Sequence, residues 1–175
     1  MADDLNPLGA APQTDRDADP VETAWRIHTA IMDWMGKVDL KASITLTLDF
    51  AALGGVLAVS KDGGIFAGLG GFSRIWYFVG LVLLAASAAF AVSVVIPKLR
   101  SIPTEENFIY FGNLRKYSDP PAVEKILKSK QVLPALAEQL HRVSEIAWKK
   151  HTYIQFSLWS AAAAMVFLVL SFLTS

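Results

Sequence analysis

The chain has 175 residues, its 16 Lys and Arg balance 16 Asp and Glu, and 53% of the residues are hydrophobic. That neutral balance gives no electrostatic footprint for nucleic acid, and the lack of cysteine excludes disulfides and thiolate metal sites. The apolar share exceeds that of a usual soluble domain and falls in long blocks, while His28, His141 and His151 are scattered with no metal-ligand spacing.

Residues 1–18 are rich in Asp, Pro and Ala and poor in large apolar residues, which predicts a disordered tail; no basic-then-apolar signal pattern is seen. "DPVE" opens a helix. Asp19 suits the cap, Pro20 the first helical position, and Glu22 a capping-box spacing. Ala24, Ile27, Ile31, Met35 or Trp34, and Val38 then recur every three to four residues, so 19–41 reads as an amphipathic helix with only Gly36 as a weak break. It runs into a first apolar span, 42–59. "SKDGGIFAGLGGFS" belongs to a glycine-rich link, 60–74. It has a phosphate-loop look, but no strand precedes it and no Lys-Ser/Thr follows, so it reads as a flexible turn.

Residues 75–96 form a second span without charge, ending before Pro97. Thr104 suits the cap of a helix through "EENFIYFGNLRKY", and Asp119 before Pro120 suits the cap of another through "SDPPAVEKILKSK". Leu133, Leu136, Leu140, Val143 and Ala147 then make an apolar stripe on a helix that leads into a third uncharged span, 153–173. Each span meets the length rule of roughly 20 mostly apolar residues.

The expected architecture is all-α: three transmembrane helices with a helical cytoplasmic domain. That domain is built from the N-terminal helix and the loop 97–152, with the insert 104–130 capping the two amphipathic helices. Ten of the cations lie in 97–152: Lys98, Arg100, Arg115, Lys116, Lys125, Lys128, Lys130, Arg142, Lys149 and Lys150. By the positive-inside rule this loop and the N-terminus face the cytoplasm, and the C-terminus faces the periplasm of a bacterial inner membrane.

Asp49 interrupts the first span. An ionised carboxylate at the bilayer centre costs on the order of 3 kcal/mol. One reading is a protonated acid hydrogen-bonded inside the bundle. The other is a polar position, with Thr45 and near Ala42 and Ala52, that lines a water or ion path when chains oligomerise. Small-residue runs, "AASAAFAVS" and "SAAAA", suit close helix approach within or between chains.

The strip "NFIYFGNLRKYS", 107–118, is the ligand candidate. Tyr110, Phe111 and Tyr117 suit stacking on a flat base, Arg115 and Lys116 suit a phosphate, and Asn107 and Asn113 suit base edges. The alternative is an interfacial helix with aromatics at headgroup depth. At the start of the first span, Asp39 and Lys41 suit an adjacent-turn ion pair or a snorkelling lysine. No nucleophile–base pair or paired carboxylates stand out, so the chain does not read as an enzyme.

"KVDLKASITLTLDFAAL" and "NFIYFGNLRKYS" resemble the Pycsar transmembrane effectors (PycTM): a D-x-K-A-S start to the first span, and an aromatic-glycine segment after the second. The last helix running into a final span fits as well. The resemblance covers about residues 33–173 and carries over Asp39, Lys41, Ala42 and Ser43, with Asn107, Tyr110, Phe111 and Gly112; it does not include Asp49. It implies an effector of bacterial anti-phage defence. A partner pyrimidine nucleotide cyclase makes cCMP or cUMP, and the effector responds by impairing the inner membrane in abortive infection. No metal or resident cofactor is expected, and a homo-oligomer in the lipid bilayer is. Two rivals stay open: a ligand-independent, holin-like membrane toxin and a non-toxic membrane-complex scaffold.

Overall fold

The computed structural model describes residues 19–60, 69–96 and 107–174. The expectations for the tail 1–18, most of the glycine-rich link, Pro97 and the Thr104 cap lie outside the described residues. The architecture is all-α, as expected. The helices are α1 (Pro20–Val59), α2 (Gly71–Val95), α3 (Phe111–Leu114), α4 (Pro120–Ser129) and α5 (Val132–Leu173). By length and apolar composition α1, α2 and α5 are each able to cross a membrane.

α1 has 40 residues and α5 has 42, so each is about 60 Å long at 1.5 Å per residue. That is about twice a bilayer's hydrocarbon thickness. Both therefore continue well beyond any apolar core they cross, and α1 runs through Gly36 without a break. Asp19 caps α1 by accepting from the Val21 N–H at 3.0 Å. The expected capping box is not closed by Glu22, whose carboxylate instead accepts from Arg26 one turn on, at 2.7 Å.

α1 and α5 run parallel. Ile31 and Met35 pack on Val143 and Ala147, while Val38 and Ala42 pack on Ile154. The antiparallel α2 joins them only along the apolar half, beginning where Val94 meets Ala42 and Ile154. A three-helix bundle thus continues as a two-helix stalk.

Most buried positions follow one rule in all three helices, with Ala88 and Ala135 outside it. On α1 they are Ala24, Ile31, Met35, Val38, Ala42, Thr45 and Asp49. On α2 they include Ser73, Gly80, Leu84, Ser87, Ala91 and Val94. On α5 they include Leu136, Gln139, Val143, Ala147, Ile154, Ser157, Ala164, Leu168 and Ser171. These steps of three, four and seven average 3.5 residues, the spacing of left-handed supercoiled helices. The seam settles the ambiguous stripe positions. Met35 is in the core, whereas Trp34, Ile27 and Leu133 are exposed. Gly80 permits a close approach of α2 to α5: a Cβ there would lie 2.8 Å from Leu168 Cγ and 3.2 Å from the Ala164 carbonyl oxygen.

The expected long helix through 104–117 is corrected to a single turn, α3, among the described residues. The reason is local. The Asn107 side chain accepts from the Ile109 and Tyr110 N–H groups at 3.1 and 3.3 Å, a turn that competes with helix. Asp119 does cap α4, accepting from the Ala122 N–H at 2.8 Å. α4 itself has no buried residue, so among the described residues of the expected capping insert only the 107–113 portion holds buried ones.

Candidate functional site

Four groups of polar residues follow the bundle from the stalk to its far end. The first anchors the aromatic-glycine segment. Asn107 is fully buried, and its amide N–H donates to Gln139 of α5 at 3.3 Å. The Asn113 amide closes the loop by donating to the Asn107 carbonyl at 3.1 Å. Phe108 is 4% exposed, so the segment is pinned to α5 by a buried ring and a buried amide pair. The Asn107 side chain is thereby engaged by the protein itself.

What remains accessible is the outer half of the segment. Tyr110 is half-buried and tilts against the exposed Phe111 with centroids 4.8 Å apart. Arg115 and Lys116 are both exposed, and Tyr117 is half-buried beside them. Gly112 matters by its smallness, because a Cβ there would lie 2.4 Å from Tyr110 Cε1. The glycine lets the ring fold over its own backbone. Beside this segment a cleft of about 420 Å³ is lined by Phe108, Lys130, Gln131, Pro134, Ala135 and Glu138.

The second group lies where α2 ends and the stalk begins. Asp39 does not pair with Lys41. Its carboxylate takes both oxygens to Lys150 of α5, at 2.6 and 2.8 Å. Lys41 is exposed, and Ser43 turns back to donate to its own helix at the Asp39 carbonyl, at 2.9 Å. The D-x-K-A-S start thus divides its work. Asp39 ties two helices together, Ala42 is fully buried in the seam, and Lys41 and Ser43 sit outside.

The third group surrounds Asp49, which is 3% exposed and turned into the bundle. Ser87 of α2 donates to Asp49 Oδ2 at 2.7 Å. Ser157 of α5 lies 3.1 Å from the Ser87 hydroxyl and donates to the Ser87 carbonyl at 3.0 Å. One carboxylate and two hydroxyls therefore join all three long helices, and no Lys or Arg pairs with Asp49 among the described residues. Thr45, one turn before it, donates to its own helix at the Lys41 carbonyl, at 2.9 Å. Nearer the far end, Ser73 donates to the Thr174 carbonyl at 2.5 Å, and Ser171 to the Ser73 carbonyl at 2.9 Å.

Several of these partners were not singled out in the sequence: Gln139, Lys150, Ser87, Ser157, Ser73 and Ser171. Most are small or polar residues at seam positions, where apolar periodicity is blind to them. The signal available was a 3.5-residue spacing of small and polar residues running in step with the apolar ones.

A family model for the Pycsar effector protein domain matches residues 23–175. The chain belongs to the Pycsar effector family. That match covers nearly the whole chain and includes every candidate site residue named above. Its members are effectors in Pycsar anti-phage defence, not the cyclases. No curated protein and no solved structure matches this Pycsar effector.

Proposed function

We propose that this effector senses a cyclic pyrimidine mononucleotide, cCMP or cUMP, made by a partner cyclase, and impairs the bacterial inner membrane so that the infected cell stops before phage matures. The observation that carries this reading is the continuity of α1 and α5. Both run as unbroken helices from the aromatic-glycine head to the far end of the membrane-length bundle. A displacement at the head has a rigid route to the spans, and the Asp39–Lys150 pair sits at the junction it must pass.

The ligand is read at the outer half of the 107–117 segment. Tyr110, Phe111 and Tyr117 offer ring faces for the pyrimidine, and Arg115 and Lys116 offer charge for the phosphate. Asn107 acts beneath them, by fixing the segment on Gln139. A nucleotide shifts the helices only through its differential affinity for two arrangements. In the resting arrangement the Asp49–Ser87–Ser157 cluster closes the bundle on itself. In the active one α1 and α5 move relative to α2, chains assemble, and the freed Asp49 carboxylate draws water into the breach. The orientation is N-terminus cytoplasmic and C-terminus periplasmic, with the lysine-rich head in the compartment where the cyclase works.

The direct test is equilibrium binding of cCMP and cUMP to the detergent-solubilised protein. One of them binds, and the Arg115→Ala/Lys116→Ala double variant loses at least tenfold in affinity. Full affinity in that variant would remove the site, and no binding of either nucleotide would remove the sensing step.

A further inference from the structure

The three spans 42–59, 75–96 and 153–173 hold a single charged residue between them, Asp49. It is also the last buried residue of α1. Ala42, Thr45 and Asp49 follow the seam, and then no residue of 50–59 is buried. α2 and α5 do not loosen in the same way. Beyond Ser87 and Ser157, towards the far end, Gly80 and Leu84 of α2 and Ala164 and Leu168 of α5 stay buried. The outer part of α1 thus lies against a tight α2–α5 pair without packing into it. Among the described residues a Cβ at Gly54 or Gly55 would meet nothing within 4 Å. A polar contact ties the end of the helix, where Ser60 Oγ and Tyr77 Oη lie 2.8 Å apart.

Asp49 stands at the root of this loose stretch. Along the helix axis it is about 10 Å past Ala42 and about 15 Å before Val59, near the middle of the apolar thickness. Ser87 engages its Oδ2, while Oδ1 has no hydrogen-bond partner among the described residues. The hydroxyls of Ser87 and Ser157 stand beside it. Towards the stalk, the apolar layer of Val38, Ala42, Val94 and Ile154 shuts the bundle. Among the described residues no cation enters the core at this depth: Asp39 holds Lys150, and Lys41, Arg74 and Lys149 are exposed. A water-filled path opening along this side of α1 is lined by one carboxylate and two hydroxyls. Carboxylates in a pore concentrate cations and repel anions.

We infer that the breach this effector opens is a cation path, and that Asp49 is the residue that sets its selectivity. Copies in one membrane each contribute one Asp49 at the same depth, so their carboxylates meet the path at one level. Small monovalent cations cross there and anions are held back. This rests on the membrane breach in the proposed function but not on nucleotide sensing.

The test is the reversal potential of the full-length protein in planar bilayers under a steep KCl gradient, with cCMP or cUMP on both sides. The wild type should pass K⁺ several-fold better than Cl⁻, a reading that needs no variant. Asp49→Asn keeps the shape and an acceptor for the Ser87 hydroxyl but drops the charge. It should bring the permeability ratio several-fold down towards equality, or stop the current. Asp49→Glu keeps the charge and should keep both the current and the preference for K⁺. A wild-type current that does not distinguish K⁺ from Cl⁻, or a ratio unchanged in Asp49→Asn, would overturn the inference while leaving the breach in place. Loss of current from Asp49→Asn and Asp49→Glu alike would overturn it too, because shape rather than charge would then govern the site. No wild-type current with either nucleotide would remove the breach itself, and the cation path with it.

Discussion

Replacing Ser87 with Ala removes the hydroxyl that gives Asp49 its one described donor and stands against Ser157. Hydrogen bonds between membrane helices contribute about 0.6 kcal/mol on average and up to about 1.7. The Ser87 contact belongs at the upper end. It is short, 2.7 Å, and Asp49 is 3% exposed, so water does not replace the lost donor. Ser87→Ala should cost about 1.5 kcal/mol, roughly a tenfold rise in the unfolding constant. In the Asp49→Leu background no carboxylate needs the donor, so the same change should cost no more than about 0.5 kcal/mol. The double-mutant cycle, read by reversible unfolding in bicelles, should then return a coupling of about 1 kcal/mol. Additivity would refute the junction, because independent sites add within about 0.5 kcal/mol.

Other changes separate the parts of the molecule. Gly80→Val places a Cβ against Leu168 and the Ala164 carbonyl and should destabilise the α2–α5 contact by about 1–3 kcal/mol, seen as a lower Tm in detergent; an unchanged Tm would refute the close approach. Gly112→Ala should force the Tyr110 ring off its backbone and weaken nucleotide binding with little change in Tm; unchanged affinity would remove Tyr110 from the site. Lys150→Ala should cost under about 1 kcal/mol of stability, because the pair is part-exposed, yet should change the nucleotide concentration needed for membrane damage; an unchanged dose response would leave Asp39–Lys150 as a tie alone.

The three long apolar helices were legible in the sequence because length and hydropathy specify them directly. So was the Asp119 cap, a local signal. The pairing of Asp39 was not. Its nearest cations in sequence are Lys37 and Lys41, but residues two apart on a helix do not face each other, and the actual partner is 111 positions away. Asp49 stood out as an intramembrane acid, yet its partners are serines, which hydropathy scarcely separates from alanine in "AASAAF" and "SLWSAAAA". The 107–117 segment misled because its composition permits a helix. The turn made by the buried Asn107 side chain decides against one, and that depends on Gln139 across the fold.

The central claim is that a cyclic pyrimidine nucleotide switches this Pycsar effector to damage the membrane. The measurement that meets it most directly is membrane potential in cells carrying the effector while a separately induced cyclase makes cCMP or cUMP, with a catalytically dead cyclase as control. The account predicts depolarisation with one active cyclase only, lost in the Arg115→Ala/Lys116→Ala variant. Depolarisation with the dead cyclase would contradict it in favour of a ligand-independent toxin, and a steady potential in every arm, with the protein in the membrane, in favour of a scaffold.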